Sequence, residues 1–181
     1  ARMFDAIDHC PKPVVARVQG VALGGGMGLL CACDIVVAAE SARFAFTECR
    51  LGIVPAVISP YVLNRVSVGV ARDLFLTARS LTAQEALRIG LASKVVEDGR
   101  LDLGVQDVVA ELLRCGPEAQ RVCKELLRFV PSVPRNEVQA FTTQLIASLR
   151  ASEEGQAGME SFLNRTKAPW VMEPPAAQEI C

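Results

Sequence analysis

Histidine is nearly absent: His9 is the only one among 181 residues. A Ser-His-Asp triad would have to rest on this one ring, and a histidine-rich metal centre needs several. His9 lies beside Cys10-Pro11, where a helical pattern stops, so it reads as a helix-end or surface residue. Cysteine is present seven times, but no CxxC pair occurs and the count is odd. That argues against a disulfide framework, and implies free thiols in a reducing, cytoplasmic setting. Charge of one sign is not in excess, with 19 basic and 20 acidic residues and a net charge of -1. Without a cluster of Lys and Arg the chain has no electrostatic footprint for nucleic acid. Long hydrophobic runs are missing too. The longest, from Val54 onward, is short and broken by proline, so no membrane span is expected. The chain opens inside a helical pattern with no initiator Met or signal sequence.

Apolar residues nevertheless make up 51% of the chain, enough for one compact domain with a helical appendage. Residues 3–9 read as the end of a helix stopped by Pro11 and Pro13. Residues 14–18 are β-branched and short, a strand leading to Gly20. Leu23-Gly24-Gly25-Gly26 reads as a glycine turn, 27–33 as a helix apolar on every side, and 35–39 as a buried strand. Strand, turn, helix, strand is a crossover and predicts parallel pairing of 14–18 with 35–39. A third strand is expected over 43–46. Thr82 and Glu85 have the spacing of a capping box, with Gly90 as the stop. Helices follow over 105–114, 117–129, 136–151 and 153–167, the third with a stripe of Val138, Phe141, Leu145 and Leu149. Phe141, Leu145, Phe162 and Trp170 exceed what one small chain is expected to cover. No internal repeat is visible. Strands first and helices later predict an α/β core with a helical extension.

Two segments could carry chemistry. In Ala22-Leu23-Gly24-Gly25-Gly26-Met27-Gly28, glycines let the backbone approach a ligand, and the following helix aims unpaired N–H groups and its positive dipole end at the same place. Such donors stabilise an oxyanion. A tight turn packing helix on strand explains the glycines equally well. A dinucleotide fingerprint fails at Leu29, and a P-loop fails because Leu29-Leu30 stand where Lys and Ser/Thr are required. The second segment is Phe46-Thr47-Glu48-Cys49-Arg50. A carboxylate among apolar residues can exchange protons with a substrate. The alternative is a structural Glu48 paired with Arg50 or Arg43. Asp34 reads as structural, ending the buried helix.

The run of residues 12–26, followed by Cys33-Asp34-Ile35, resembles the signature of the enoyl-CoA hydratase/isomerase (crotonase) family. The likeness continues through Ala42-Arg43-Phe44, Glu48, residues 51–55 and residues 83–92. It closes with Glu154-Gly155, Gly158-Met159, Phe162 and residues 167–170. The resemblance implies an α/β fold: a crotonase-like spiral of strand–strand–helix turns and a C-terminal helical trimerisation region. On that pattern residues 1–115 are a partial spiral core lacking its N-terminal strands, and residues 116–181 are the helical region. The family binds an acyl-CoA thioester whose carbonyl oxygen sits between two backbone N–H groups. By motif match one is that of Gly25, while the other lies in an earlier segment not contained here. The expected catalytic pair is Gly25 and Glu48. The same match gives Gly24, Gly26, Gly28, Pro55 and Arg165 to substrate binding, with Arg165 reaching CoA phosphates of a neighbouring subunit. Two-carboxylate hydratases of the family carry a first Glu where this chain has Gly28. Together with 48–52 and 55–61, this resembles bacterial methylglutaconyl-CoA and isohexenylglutaconyl-CoA hydratases. Hydration of a 2-enoyl-CoA is the implied reaction, with a branched or carboxylated acyl group as the substrate this likeness suggests. Isomerisation, decarboxylation and a non-catalytic scaffold are the alternatives. No cofactor or metal is implied beyond the CoA carried by the substrate. The implied assembly is a homotrimer or hexamer without nucleic acid or membrane partners.

Overall fold

The computed structural model describes residues 1–174, which divide into two compact units: 1–10 with 14–108, and 11–13 with 109–174. Cys181 lies outside the described residues. In the first unit α1 (Arg2–Asp8) precedes β1 (Val15–Val18). The chain turns at Gly20, whose φ of +74° belongs to the left-handed region that glycine enters without a Cβ penalty. It then forms β2 (Val21–Leu23) in a different sheet. Helix α2 (Gly25–Ala32) returns it to β3 (Ile35–Ala39), and a corner at 40–42 leads to β4 (Arg43–Ala45). Helices α3 (Ser59–Leu63) and α4 (Val68–Thr77) complete this second turn. The strand β5 (Leu81–Thr82), α5 (Ala83–Arg88) and β6 (Lys94–Val96) follow, and α6 (Leu101–Leu112) runs from the first unit into the second.

Each strand–strand–helix turn therefore lays one strand in each of two sheets. One sheet has the order β1-β3-β6 and the other β2-β4-β5. The expected parallel pairing is present, with Val15 opposite Ile35 and Val18 opposite Ala38. Strands β2 and β4 are also parallel, and only β5 runs antiparallel, against β4. The repeat is one of geometry and leaves no trace in the residue sequence. Between the sheets and helices lie Met27, Leu30, Val36, Phe44, Phe46 and Leu74, and Phe46 meets Phe75 edge to face at 4.9 Å. Full burial of such side chains stabilises the fold by roughly 1.5–3 kcal/mol each.

The helix expected to open at Met27 opens at Gly25 instead, so two of the turn's glycines form the first turn of α2. Gly24 allows this by taking φ +47° as the N-cap. At the other end of α2, the Arg65 guanidinium donates to the carbonyls of Cys31 and Cys33, satisfying acceptors that a helix end leaves open. Asp34 is structural as expected, since its carboxylate accepts the Val14 N–H at 2.7 Å. His9 caps α1, exposed beside Asp5. The Thr82–Glu85 capping box is formed, and it holds the Glu85 carboxyl below the usual carboxylate range.

In the second unit α7 (Pro117–Phe129), α8 (Arg135–Ala151) and α9 (Glu153–Asn164) pack together. The Glu154 carboxylate accepts the N–H groups of Glu118 (2.9 Å) and Ala119 (2.8 Å), capping α7 from α9. Gly158 leaves room for Trp170, whose Nε1 donates to the Arg114 carbonyl. The anticipated surplus of apolar surface is therefore smaller than the residue types suggest. Trp170 is covered in this way, and Phe141 packs on Phe129 at 4.2 Å. Leu145 is half-buried, while Phe162 is 83% exposed. No helix among the described residues is long and apolar enough to cross a membrane.

Candidate active site

The register of β2 on β4 decides what meets at the carboxyl ends of these strands. Val21 pairs with Arg43, Ala22 with Phe44 and Leu23 with Ala45, a constant offset of 22 residues. Whatever follows Leu23 therefore emerges beside whatever follows Ala45. The Gly24 N–H extends the ladder by donating to the Ala45 carbonyl at 3.1 Å. After β2 come the glycines of α2; after β4 come Phe46, Thr47 and Glu48. The outer edge of parallel strands, where helices begin, is where α/β folds commonly place ligands.

The amides of α2 are disposed as a donor site. Met27 N–H and Gly28 N–H both donate back to the Gly24 carbonyl. The N–H groups of Gly25 and Gly26, the first two of the helix, donate to no acceptor among the described residues. Gly25 is exposed and Gly26 half-buried. Two free amides at the positive end of a helix dipole favour a negative charge within their reach.

Glu48 begins a short 3-10 turn, Glu48–Leu51, immediately after β4 and Phe46-Thr47. Its Oε1 lies 3.5 Å from the point where a Cβ on Gly24 would sit, so the carboxylate rests against the glycine turn. Its Oε2 is buried and has no hydrogen-bond partner. The structural alternative, an ion pair with Arg43 or Arg50, is not formed among the described residues. Arg43 instead donates to the carbonyls of Ser41 and Ala42. A buried carboxylate oxygen without a partner is costly and rare outside places where something else is to be held.

The other expected site residues are distributed unevenly. Pro55 is buried, its carbonyl accepting Ser59 N–H at 3.0 Å, and it anchors a loop in which Leu51, Ile53, Val54 and Val57 are exposed. Gly28 is buried inside α2. A Cβ there would lie 2.3 Å from Ile58 Cγ2 and 3.0 Å from Phe4 Cζ, so the place of the hydratases' first Glu is filled by apolar side chains. Arg165 belongs to the second unit, exposed at the C-cap of α9 with φ +55°. Among the described residues no group of three or more His, Cys, Asp or Glu is arranged to hold a metal ion.

With the glycine turn and Glu48 adjoining, likeness to known proteins becomes decisive. The enoyl-CoA hydratase/isomerase family model matches residues 1–173. The chain belongs to this family. The short-chain-enoyl-CoA hydratase of Clostridium acetobutylicum is 32% identical over 167 residues, covering 92% of this chain and 64% of that protein. Among solved structures, an enoyl-CoA hydratase from Shewanella pealeana aligns with TM-score 0.87 at 36% identity, covering 93% of this chain and 63% of that one. Pseudomonas aeruginosa AtuE aligns with TM-score 0.90 at 32% identity, covering 94% of this chain and 67% of that one. The fold is thus the crotonase fold, an α/β spiral followed by helices. The chain spans a little under two thirds of the length of the curated relatives it matches.

Sequence reasoning paired Gly25 with Glu48 only through the family resemblance. It did not name Thr47, whose hydroxyl the structure brings to the same glycine turn. The Thr47 Oγ1 lies 3.8 Å from the same point over Gly24 that Glu48 approaches. The signal available was the offset of 22 between the two strands, which is readable only once β2 is recognised as a strand.

Proposed function

We propose that the protein hydrates the double bond of a 2-enoyl-CoA thioester. The observation carrying this reading is the Glu48 carboxylate, its Oε1 against the glycine turn that opens α2 with two free amides and its Oε2 buried without a partner. When water adds, its oxygen bonds C3, the π bond moves its electrons toward the thioester carbonyl, and negative charge gathers on that oxygen. The Gly25 and Gly26 amides offer donors for this charge, each worth a few kcal/mol when well placed. Glu48 takes a proton from the attacking water and returns one to C2, so the carboxylate is restored. The exposed apolar loop of Leu51, Ile53, Val54 and Val57 suits the acyl chain. A branched or carboxylated acyl group of the methylglutaconyl type belongs to this reading on the strength of residues 48–52 and 55–61.

The filled space at Gly28 favours a second reading, shift of the double bond along the acyl chain. That reaction needs one carboxylate only: Glu48 removes a proton at one carbon and returns it two carbons away. Glu48→Gln keeps shape and hydrogen bonding but removes proton transfer. It is expected to lower kcat for crotonyl-CoA hydration by about 10²–10⁴ with KM nearly unchanged. Hydration by the Gln variant at the unmodified rate would end the proposal. Isomerisation without hydration, abolished by the same change, would select the second reading, and tight CoA-ester binding with neither reaction would mean a scaffold.

A further inference from the structure

Thr47 stands at the N-cap of the 3-10 turn Glu48–Leu51, a position where threonine ordinarily accepts an amide of the turn. Here the side chain makes no such bond, and the hydroxyl has no other hydrogen-bond partner among the described residues. It does not point away from the site. Thr47 Oγ1 and Glu48 Oε1 lie 3.8 Å and 3.5 Å from one point, the missing Cβ of Gly24. A hydroxyl and a carboxylate oxygen thus flank the same small space next to the free amides of α2. Thr47 is β-branched, so its χ1 has few alternatives and its hydroxyl is held where the backbone puts it. The adjoining Phe46 is 1% exposed, which fixes that backbone from below.

A water molecule that attacks carbon needs one lone pair free and both of its O–H groups directed. With a single carboxylate at hand, one O–H can go to Glu48. The place from which a second carboxylate could take the other is closed by Ile58 and Phe4 at Gly28. We infer that Thr47 is the positioning residue that holds the attacking water for Glu48, its Oγ1 accepting the water's second O–H. The proton balance is complete without any further group. Water gives one hydrogen to Glu48 and keeps the other, held by Thr47, as the new C3 hydroxyl. Glu48 then delivers its proton to C2. This role rests on the proposed hydration, but it makes a demand of its own: Thr47 serves only the step in which water is a reactant. Proton exchange at C2, which also runs through Glu48 and the enolate, has no use for it.

The test compares Thr47→Val, which keeps the branched shape and loses the hydroxyl, with Thr47→Ser, which keeps the hydroxyl. Two rates are read on each: crotonyl-CoA hydration, and exchange of C2 hydrogens of butyryl-CoA into deuterated water by NMR. Thr47→Val is expected to lose about tenfold or more in kcat for hydration, the worth of one transition-state hydrogen bond. Its KM and C2 exchange should stay within about twofold, and Thr47→Ser should recover most of the hydration rate. An unchanged hydration rate in the Val variant overturns the inference, as does an equal fall in both reactions, which would mean a structural role. If the unmodified protein exchanges C2 hydrogens without hydrating crotonyl-CoA, there is no water to position. The Thr47 assignment then falls while the enolate site stands. If it does neither, hydration and the role of Thr47 fall together.

Discussion

Changing Gly28 to Ala sets two effects of opposite sign against each other. In the interior of a helix, alanine is favoured over glycine by about 1 kcal/mol, because glycine loses more backbone freedom on folding. At Gly28 the added methyl would lie 2.3 Å from Ile58 Cγ2, 3.1 Å from Ile58 Cβ and 3.0 Å from Phe4 Cζ. Carbon atoms rest at about 3.5–4.0 Å, so the first of these is an overlap of more than about 1 Å. Ile58 cannot turn aside cheaply, being 4% exposed, β-branched and placed at the start of α3. Relief needs α3 to shift or Ile58 to leave its rotamer, and overpacking of this kind costs about 1–3 kcal/mol. The overlap is large enough to take the upper part of that range, so the net expectation is a loss of about 1–2 kcal/mol. Urea unfolding followed by circular dichroism measures it, with the midpoint falling at constant slope. Ile58→Ala alone should cost about 2–5 kcal/mol through its cavity. Combined with Gly28→Ala the loss should be smaller than the sum by about 1 kcal/mol or more, because the new methyl occupies the space vacated. A rise in midpoint for Gly28→Ala, or strict additivity in the pair, would refute the packing argument. The same geometry bears on chemistry. A glutamate at position 28 begins with the same Cβ, so Gly28→Glu by itself should not furnish a second working carboxylate.

Trimeric or hexameric assembly is expected, since Phe162 and Leu163 at the end of α9 are 83% and 78% exposed. Sedimentation velocity at micromolar concentration checks it, and a monomer would contradict it. Burial pushes the Cys31 thiol up to about 12, the nearby Arg65 opposing only in part. At pH 8 it should resist an aromatic disulfide reagent in the folded protein while the exposed Cys115 and Cys123 react. The neutral thiol is favoured by folding, so its contribution to stability is present below pH 9 and is lost as pH rises from about 9 toward 12. Rapid labelling of Cys31 at pH 8 without unfolding would show the burial to be wrong.

The elements that could be read from sequence are those whose residues carry their own reason. Apart from Arg17, residues 14–18 and 35–39 are β-branched or small and apolar, with a helix between them, and that favours parallel pairing. Thr82 and Glu85 cap α5 by local hydrogen bonds that depend on nothing distant. What was hidden depends on partners far along the chain. Strand β2 has three residues, with Val21 and Leu23 exposed, so neither length nor alternation distinguishes it from a turn. Its existence is owed to the ladder offered by β4. Glycine poses the same difficulty, because its spelling is identical for different causes. Gly24 is required by a positive φ, Gly28 by the side chain of Ile58, and Gly116 by the carboxylate of Glu154.

The site itself follows from a single register. Once Leu23 is opposite Ala45, the helix amides and the carboxylate have no freedom to be elsewhere, since one follows each strand directly. Sliding β4 by one residue would turn Phe44 out of the core and move Glu48 away from Gly24 in the same step. Phe44 is fully buried, so the hydrophobic core resists that slip by the transfer energy of a whole aromatic side chain. The placement of the reactive groups is therefore held by the same contacts that stabilise the fold. An unpartnered carboxylate oxygen, unfavourable on its own account, can persist at Glu48 because the strands that carry it cannot move to relieve it.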